Sequence, residues 1–331
     1  MRWSTSKAVV GSLEGDVVRV LVGDEQREFT IHRALLSDSC AFFRGHLESI
    51  PIRSTTSPRG DDDDDDDSVL WLPNEGPDMF EIFVLWLYQR RRFPAFLTHA
   101  LPSHIPSPTT ASTTSTSTPS PTNPQIEQFR TLRTNLVRLH LFAAIIDLPA
   151  AQDAAMDALQ DLYLRFDWSM SPRFLAFLYG DCEAQHAAVR LRKWAVAMLA
   201  WTLHGAAPGS LPSPGPDAER LFTQYPLLRA DYRLHLQKMA QSRADVAVKN
   251  PQLRLPANGL RSGERLFGFR QCTFHSHRAA VGEGPCPHAV GYGFVNPIPS
   301  TGRRDKEEVE SDRDEELITP VGEWGGSVLD L

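Results

Sequence analysis

The sequence predicts an α+β protein in which a small β-sheet flanked by short helices is followed by an all-helical C-terminal extension. Runs with the alternation or β-branched content of strands occur only near the N-terminus, within 16–32 and 69–72. Between 77 and 244, outside the low-complexity stretches, the apolar residues follow helical spacing, so the expected helix content is well above the strand content.

Length and charge exclude several classes of protein. The chain has 331 residues, with 34 Lys and Arg against 41 Asp and Glu, and seven of the acids form the run Asp61–Asp67. Without that run, acids and bases balance at 34 each, so we expect no basic face for nucleic acid. Four cysteines are too few for a disulfide framework. No stretch approaches the roughly 20 apolar residues of a membrane helix, and we expect an intracellular protein, with cytoplasm and nucleus not distinguished.

Composition divides the chain into four segments. The first, 14–165, contains two insertions that we predict to be disordered. One is 54–68, which carries the Asp run, and the other is 98–126, which is mostly Ser, Thr and Pro. The remaining segments are a helical extension, a loop-rich segment and a disordered acidic tail, over 166–245, 246–300 and 301–331 respectively.

The first two strands are expected to form a hairpin. Residues 16–22 are rich in β-branched side chains, and 27–32 alternate between apolar and polar residues. The residues between them begin with Gly23 and Asp24, which favour a turn. One face of the hairpin is apolar and contains Val18, Val20, Val22, Phe29 and Ile31.

Short helices and a third strand follow the hairpin. Two helices are expected over 34–47, where Ser37–Ser39 can cap the second. An apolar strand, Val69–Leu72, ends at Pro73. Pro77 then opens a helix whose apolar positions are Met79, Ile82, Phe83, Trp86 and Leu87.

Two longer helices complete the first segment. Apolar residues spaced by three and four positions predict a helix up to Ile146, a break at Leu148–Pro149 and a second helix over 151–162. In the extension, the same spacing and the helix start at Ser171–Pro172 predict three further helices, over 172–178, 186–201 and 226–244.

This order of hairpin, short helix pair, strand, helix and closing helix pair resembles the BTB (POZ) domain. The runs that carry the likeness are 16–23, 29–36, 39–43, 69–73, 79–88, 136–143 and 150–162. The Ser- and Pro-rich insertions and the helical C-terminal half are similar to those of uncharacterised BTB-domain proteins of filamentous fungi.

The resemblance implies a protein-interaction module that uses no cofactor and is not an enzyme. Such domains are often homodimers, and some are substrate adaptors of cullin-type ubiquitin ligases. The apolar density of the hairpin and first helices exceeds what a small sheet covers, so we expect self-association. The residues implied for the fold and dimer core are Val18, Val20, His32, Leu35, Leu36, Phe42 and Phe43.

Asp16 and Arg33 match a charged pocket known in the family, which implies a role in binding a partner. The alternative is that the pair only fixes the strand to the helix, because buried opposite charges need each other. Cullin-binding members often carry an apolar-x-Glu motif between the helix pair and the next strand. Residues 47–53 read Leu-Glu-Ser-Ile-Pro-Ile-Arg and lack it, so a cullin scaffold is a possible partner without its motif.

One cluster could carry metal chemistry. Cys272, His275 and His277 are followed by Cys286 and His288, and Cys and His are the usual zinc ligands. The spacing matches no common zinc finger, and the simplest interpretation is a loop with incidental histidines. A zinc-binding factor or metalloenzyme is therefore the alternative to an interaction module.

The run Arg90–Arg92 follows the helix that begins at Pro77. Basic side chains at the C-terminal end of a helix complement its dipole, which explains this run better than a nuclear-localisation signal does.

Overall fold

The structure is a computed structural model that describes residues 16–48, 69–90, 92–93, 124–182, 185–205, 215–255, 266–270 and 272–276. It confirms the α+β class, with helices predominating over a small amount of sheet. The chain forms two compact units, one extending to Leu159 and the other beginning at Gln160. The predicted insertion 54–68, the predicted tail 301–331 and residues 98–123 of the second insertion lie outside the described residues. The prediction of disorder up to residue 126 is wrong at its end, because a helix begins at Pro124, and proline is favoured at the first position of a helix.

The first unit contains every strand and helix that the sequence predicts for this region, in the predicted order. Its elements are β1 (Val17–Val22), β2 (Arg27–His32), α1 (Arg33–Ser37), α2 (Ala41–Glu48), β3 (Val69–Leu72), α3 (Pro77–Gln89), α4 (Pro124–Ile145) and the N-terminal part of α5 (Pro149–Phe166).

The three strands of the first unit form one sheet in the order β2-β1-β3. β1 pairs antiparallel with β2, with Val18 opposite Ile31, and parallel with β3, with Val20 opposite Leu70. Because side chains alternate along a strand, this register gathers the apolar residues on one face. The buried residues of that face are Val18, Val20, Val22, Ile31, Leu70 and Leu72.

The hairpin turn requires a glycine at its first position. Gly23 has a φ of +76°, and a Cβ there would lie 3.2 Å from Pro77 Cδ and 3.3 Å from the carbonyl oxygen of Glu75. The Gly23 N–H also donates to the carbonyl oxygen of Leu72 at 3.0 Å. The turn therefore joins the hairpin to the end of β3 and the start of α3, a close approach that a side chain would disturb.

Aromatic side chains connect the helices of the first unit. The ring centroids of Phe43 on α2 and Phe83 on α3 are 5.7 Å apart, and Phe142 on α4 lies 5.7 Å from Phe83. The chain reverses after α4 at Asp147, which has a φ of +52°. This is the break that Leu148–Pro149 predicts.

The second unit consists mainly of helices. After the C-terminal part of α5 its elements are α6 (Pro172–Ala176), a π-helical turn (Phe177–Asp181), α7 (Val189–Gly205), α8 (Pro216–Gln224), α9 (Pro226–Gln241), β4 (Asn250–Leu255) and β5 (Gly268–Arg270). The side chain of Ser171 caps α6 by accepting a hydrogen bond from the N–H of Phe174 at 3.2 Å.

The segment 246–300, predicted as loop-rich, contains a small parallel sheet of β4 and β5 within its described residues. The strand β4 could not be predicted from its sequence, because Pro251 and the buried amide of Gln252 do not fit the pattern of a central strand. Gln252 is buried, and its Nε2 donates to the carbonyl oxygen of Trp168 at 2.9 Å. The Gln160 amide donates to the carbonyl oxygen of Pro251 at 2.8 Å, so these hydrogen bonds hold the strand in place.

Among the described residues, no helix has an apolar stretch long enough to cross a membrane.

Candidate interaction surface of the first unit

The structure brings Asp16 and Arg33 together, as the sequence predicts. Arg33 Nη1 lies 3.8 Å from Asp16 Oδ2, and the N–H of Arg33 donates to the carbonyl oxygen of Asp16 at 2.9 Å. Arg33 Nη2 also donates to the carbonyl oxygen of Leu47 at the end of α2. The arginine therefore connects the start of β1 to both short helices.

The ion pair itself is more open to solvent than the sequence interpretation assumes. The Arg33 side chain is 16% exposed, but that of Asp16 is 39% exposed. A half-exposed pair near the outer limit of ion-pair distance contributes little to stability, about 1 kcal/mol or less. The assumption that these charges are buried opposite each other is therefore wrong for Asp16.

His32, the last residue of β2, contacts the end of α3. Its Nδ1 lies 2.6 Å from the hydroxyl oxygen of Tyr88, and its backbone N–H donates to the same oxygen at 3.2 Å. His32 is one of the residues implied for the fold and dimer core, whereas no sequence pattern singles out Tyr88. Since the two residues are 56 positions apart, only the three-dimensional packing shows the connection.

The implied dimer core is already covered within one chain. Val18, Val20, Leu36 and Phe43 are each 1% exposed or less, while Leu35, Phe42 and His32 are half-buried. The helices of the same unit therefore cover most of the apolar residues that motivated the expectation of self-association. A surface that binds a partner is therefore expected to include other, exposed residues.

Such residues occur on the outer face of the sheet. Val17 on β1 is 51% exposed and Trp71 on β3 is 55% exposed. Leu21 lies directly opposite Trp71, and Val69 lies opposite Arg19, so both half-buried side chains belong to the same face. We call Val17, Leu21, Val69 and Trp71 the outer apolar face.

An ion pair interrupts the outer apolar face and borders it on the β2 side. Arg19 lies between Val17 and Leu21 on the same face of β1. Its Nε lies 3.0 Å from Glu28 Oε1 on β2, and both side chains are exposed. Large apolar side chains bordered by charged groups are typical of surfaces that bind other proteins.

The sequence contained a signal for this face. β1 is apolar at Val17 and Leu21 as well as at its inward positions, and β3 reads Val-Leu-Trp-Leu with no polar residue. A strand that is apolar on both faces is normally buried on both faces. Here one face is exposed, and exposure cannot be read from the strand sequence alone.

Comparison with protein-family models, curated proteins and solved structures gives no match to this chain. The function is therefore inferred from the residues described above and from their geometry.

The candidate zinc residues lie only in part within the described residues. Cys272 and His275 are both buried and share one turn, in which the N–H of His275 donates to the carbonyl oxygen of Cys272 at 3.1 Å. His277, Cys286 and His288 lie outside the described residues. Within them, no three His, Cys, Asp or Glu side chains are grouped closely enough to hold a metal ion.

The second unit contains a cluster of charged groups that sequence reasoning missed. The hydroxyl of Tyr179 donates to Asp231 Oδ2 at 2.7 Å, and Arg192 Cζ lies 4.8 Å from the Tyr179 ring centroid. Arg192 is itself buried, and its Nε donates to the carbonyl oxygen of Leu178 at 2.8 Å. Burial raises the pKa of Asp231, although the hydrogen bond from Tyr179 and the charge of Arg192 oppose that shift.

His235 on α9 lies in a basic environment in the same unit. Burial lowers its pKa to about 4, and the charges of Lys193, Lys249 and Lys238 add to the shift. The imidazole is therefore neutral at physiological pH and packs against Phe269, with 6.4 Å between the ring centroids.

Proposed function

We propose that this chain is a protein-interaction module of the BTB (POZ) type, which associates with itself and recruits or scaffolds another protein. The observation that carries the proposal is the outer apolar face, where Trp71 and Val17 are both more than half exposed. The order of strands and helices in the first unit agrees with this family, which supports the choice of family.

The energetics favour burial of this face against another protein. Complete burial of one Val or larger apolar side chain is worth about 1.5–3 kcal/mol. Tryptophan is among the residues that most often dominate the affinity of an interface. Trp71 and Leu21 lie directly opposite each other on adjacent strands, so one partner surface can cover both.

We propose a second copy of the chain as the first partner. The outer apolar face is on a three-stranded sheet, and a twofold arrangement would place the same patch of two copies in contact. Each Trp71 would then be buried by the equivalent face of the other copy. We propose this face in place of the dimer core implied by the resemblance, since Val18, Val20, Leu36 and Phe43 of that core are already buried within one chain.

A role as substrate adaptor of a cullin-type ubiquitin ligase is the narrower form of the proposal. It rests on the family resemblance, and the apolar-x-Glu motif is absent from 47–53. Recruitment of another protein therefore has more support than recruitment to a cullin.

The test compares the full chain with Trp71→Glu and with a matched control, Phe267→Glu. Phe267 belongs to the second unit and is 56% exposed, which is close to the exposure of Trp71. Light scattering at micromolar concentration should give twice the 37.0 kDa chain mass for the wild type and for Phe267→Glu. Trp71→Glu should give a single chain, because a carboxylate would be buried in the interface.

A wild-type chain that stays monomeric at this concentration would contradict self-association. A dimer that is insensitive to Trp71→Glu would show that the outer apolar face is not the interface. Circular dichroism of both variants distinguishes a lost interface from a lost fold.

Zinc binding by the Cys272–His288 cluster is the second candidate function. The observation in its favour is that Cys272 and His275 are both buried in one turn, in the arrangement of two neighbouring ligands. Metal analysis of the purified chain, with Cys272→Ser as the variant and the buried Cys182→Ser as the control, tests it. Zinc below half an equivalent in the wild type contradicts this function.

A further inference from the structure

A groove of about 500 Å³ lies between the first short helix and the end of α3. Its lining combines apolar and charged side chains: Leu35, Asp38, Leu87, Tyr88, Arg90 and Arg92. Leu87 is buried, whereas both arginines are exposed. The groove therefore offers an apolar contact beside two positive charges and one negative charge, that of the exposed Asp38.

The two arginines have no acidic partner among the described residues. Arg90 Cζ lies 5.0 Å from the ring centroid of Trp86, and the N–H of Arg92 donates to the carbonyl oxygen of Gln89 at 2.7 Å. Neither guanidinium forms an ion pair within the part of the chain that the structure describes. The helix dipole explains a positive charge at this end, but it leaves both guanidinium groups available to an anion.

The register places the start of β3 at the same end of the sheet as this groove, although β2 and β3 are on opposite edges. Tyr88, which lines the groove, contacts His32 at the end of β2. His32 pairs with Val17, and Arg19, two residues further along β1, pairs with Val69. Val69, the first residue of β3, therefore lies at the end of the sheet where Tyr88 of α3 makes its contact.

The chain that precedes β3 contains the run Asp61–Asp67, which ends two residues before Val69. The Cα atoms of His32 and Val69 are about 12 Å apart, because the two residues are separated by two strand spacings across the sheet and by two residues along it. The residues from Asp61 to Val69 can span about 26 Å when extended. The length of the connection is therefore sufficient for the run to reach Arg90 and Arg92.

We propose that this groove binds acidic segments and that its occupant is the Asp61–Asp67 run of the same chain. Carboxylates and guanidinium groups form the strongest hydrogen bonds available to protein side chains. Tethering raises the effective concentration of the run to the millimolar range, so a weak contact is sufficient. The inference is independent of the proposed self-association, because the groove and the outer apolar face have no residue in common.

The test measures how tightly full-length proteins bind a fluorescein-labelled peptide of residues 57–68, by fluorescence anisotropy at low ionic strength. The wild type should bind weakly, because its own run competes with the peptide. A variant with Asp61–Asp67 all changed to Asn should bind at least about tenfold more tightly. Adding Arg90→Glu and Arg92→Glu to that variant should remove the binding, and about 0.5 M salt should weaken it strongly.

A matched charge reversal controls for net charge. Arg220→Glu with Arg233→Glu changes two exposed arginines of the second unit by the same amount and should leave peptide binding unchanged within about twofold. If circular dichroism shows that the Arg90→Glu and Arg92→Glu variant does not fold, Arg90→Gln with Arg92→Gln is used in its place.

Two results would overturn the proposal. One is equal peptide binding by the wild type and the Asn variant, which would show that the run does not occupy the groove. The other is a wild-type oligomer that dissociates both in the Asn variant and in the Arg90/Arg92 variant, which would make a second copy the occupant.

Discussion

Asp16 and Arg33 form one ion pair, but the arginine makes more contacts than the aspartate. Arg33 also donates to the carbonyl oxygen of Leu47 and is the less exposed of the two side chains. The loss of Arg33 leaves a backbone carbonyl of α2 without this donor, whereas the loss of Asp16 removes only a distant charge.

We therefore predict unequal effects of the two alanine substitutions. Arg33→Ala should lower the free energy of unfolding by about 2–3 kcal/mol, and Asp16→Ala by about 1 kcal/mol or less. Urea denaturation measures both, with the exposed Arg44→Ala as a control that should change stability by about 0.5 kcal/mol or less. Equal losses for Asp16 and Arg33 would instead support a mutually dependent pair. Lost partner binding in a stable Asp16→Ala chain would indicate a recognition role.

The sequence identified the Asp16 and Arg33 contact but not the residues of the outer apolar face. The pair follows from the family resemblance, which supplies a spatial relation that spacing alone does not. Trp71 could be predicted only as part of an apolar strand, since its exposure depends on how the described elements pack in three dimensions. The contact of Tyr88 could not be predicted either, because its partner His32 is distant in sequence.

The π-helical turn Phe177–Asp181 shows how one helical segment depends on another. Tyr179 within it donates to Asp231 on α9, and a Cβ at Gly180 would lie only 2.9 Å from the ring of Tyr225. The turn thus places the hydroxyl of Tyr179 against Asp231, and it places Gly180, which has no side chain, against the ring of Tyr225. π-helical turns often occur where a side chain must be redirected in this way.

We predict that Tyr179→Phe destabilises the chain by about 1–3 kcal/mol, because the half-buried Asp231 loses its hydrogen-bond donor. The Asp231→Asn variant and the double variant complete a thermodynamic cycle measured by urea denaturation. A coupling energy near zero would show that the hydroxyl and the carboxylate do not stabilise each other.

Strands and helices were predicted well where apolar periodicity was strong. The helix pair joined at Leu148–Pro149 and the helix opened by Pro77 have the predicted type and place. α7 begins three residues later than expected, at Val189, and α9 ends at Gln241 rather than at 244. The helix α8 (Pro216–Gln224) was missed. The π-helical turn and the strands β4 and β5 were missed as well, because tertiary hydrogen bonds and not local pattern determine them.

The pH dependence of stability for the entire chain should contain a contribution from His235. The pKa of its imidazole is about 4 in the folded chain, against an ordinary value of 6.5. The folded state therefore binds fewer protons than the unfolded state between these values. The contribution is fully present above about pH 6.5 and is lost as the pH falls toward 4.

When the pH falls from 7 to 4.5, the free energy of unfolding should decrease in both proteins. We predict that the decrease is about 2 kcal/mol smaller for His235→Gln than for the wild type. Urea denaturation at both pH values measures the difference, and the exposed His186→Gln is the control. Parallel losses in the wild type and His235→Gln would mean that His235 titrates alike in the folded and unfolded chains.

The position of β1 between β2 and β3 has a consequence for synthesis on the ribosome. The hairpin is complete at His32, but β3, which pairs with the other side of β1, is complete only at Leu72, 40 residues later. At about 5–20 residues per second, translation leaves that side of β1 unpaired for roughly 2–8 seconds. That interval is long enough for misassociation between neighbouring polysomal chains, so chaperone capture of the emerging hairpin is the expected safeguard.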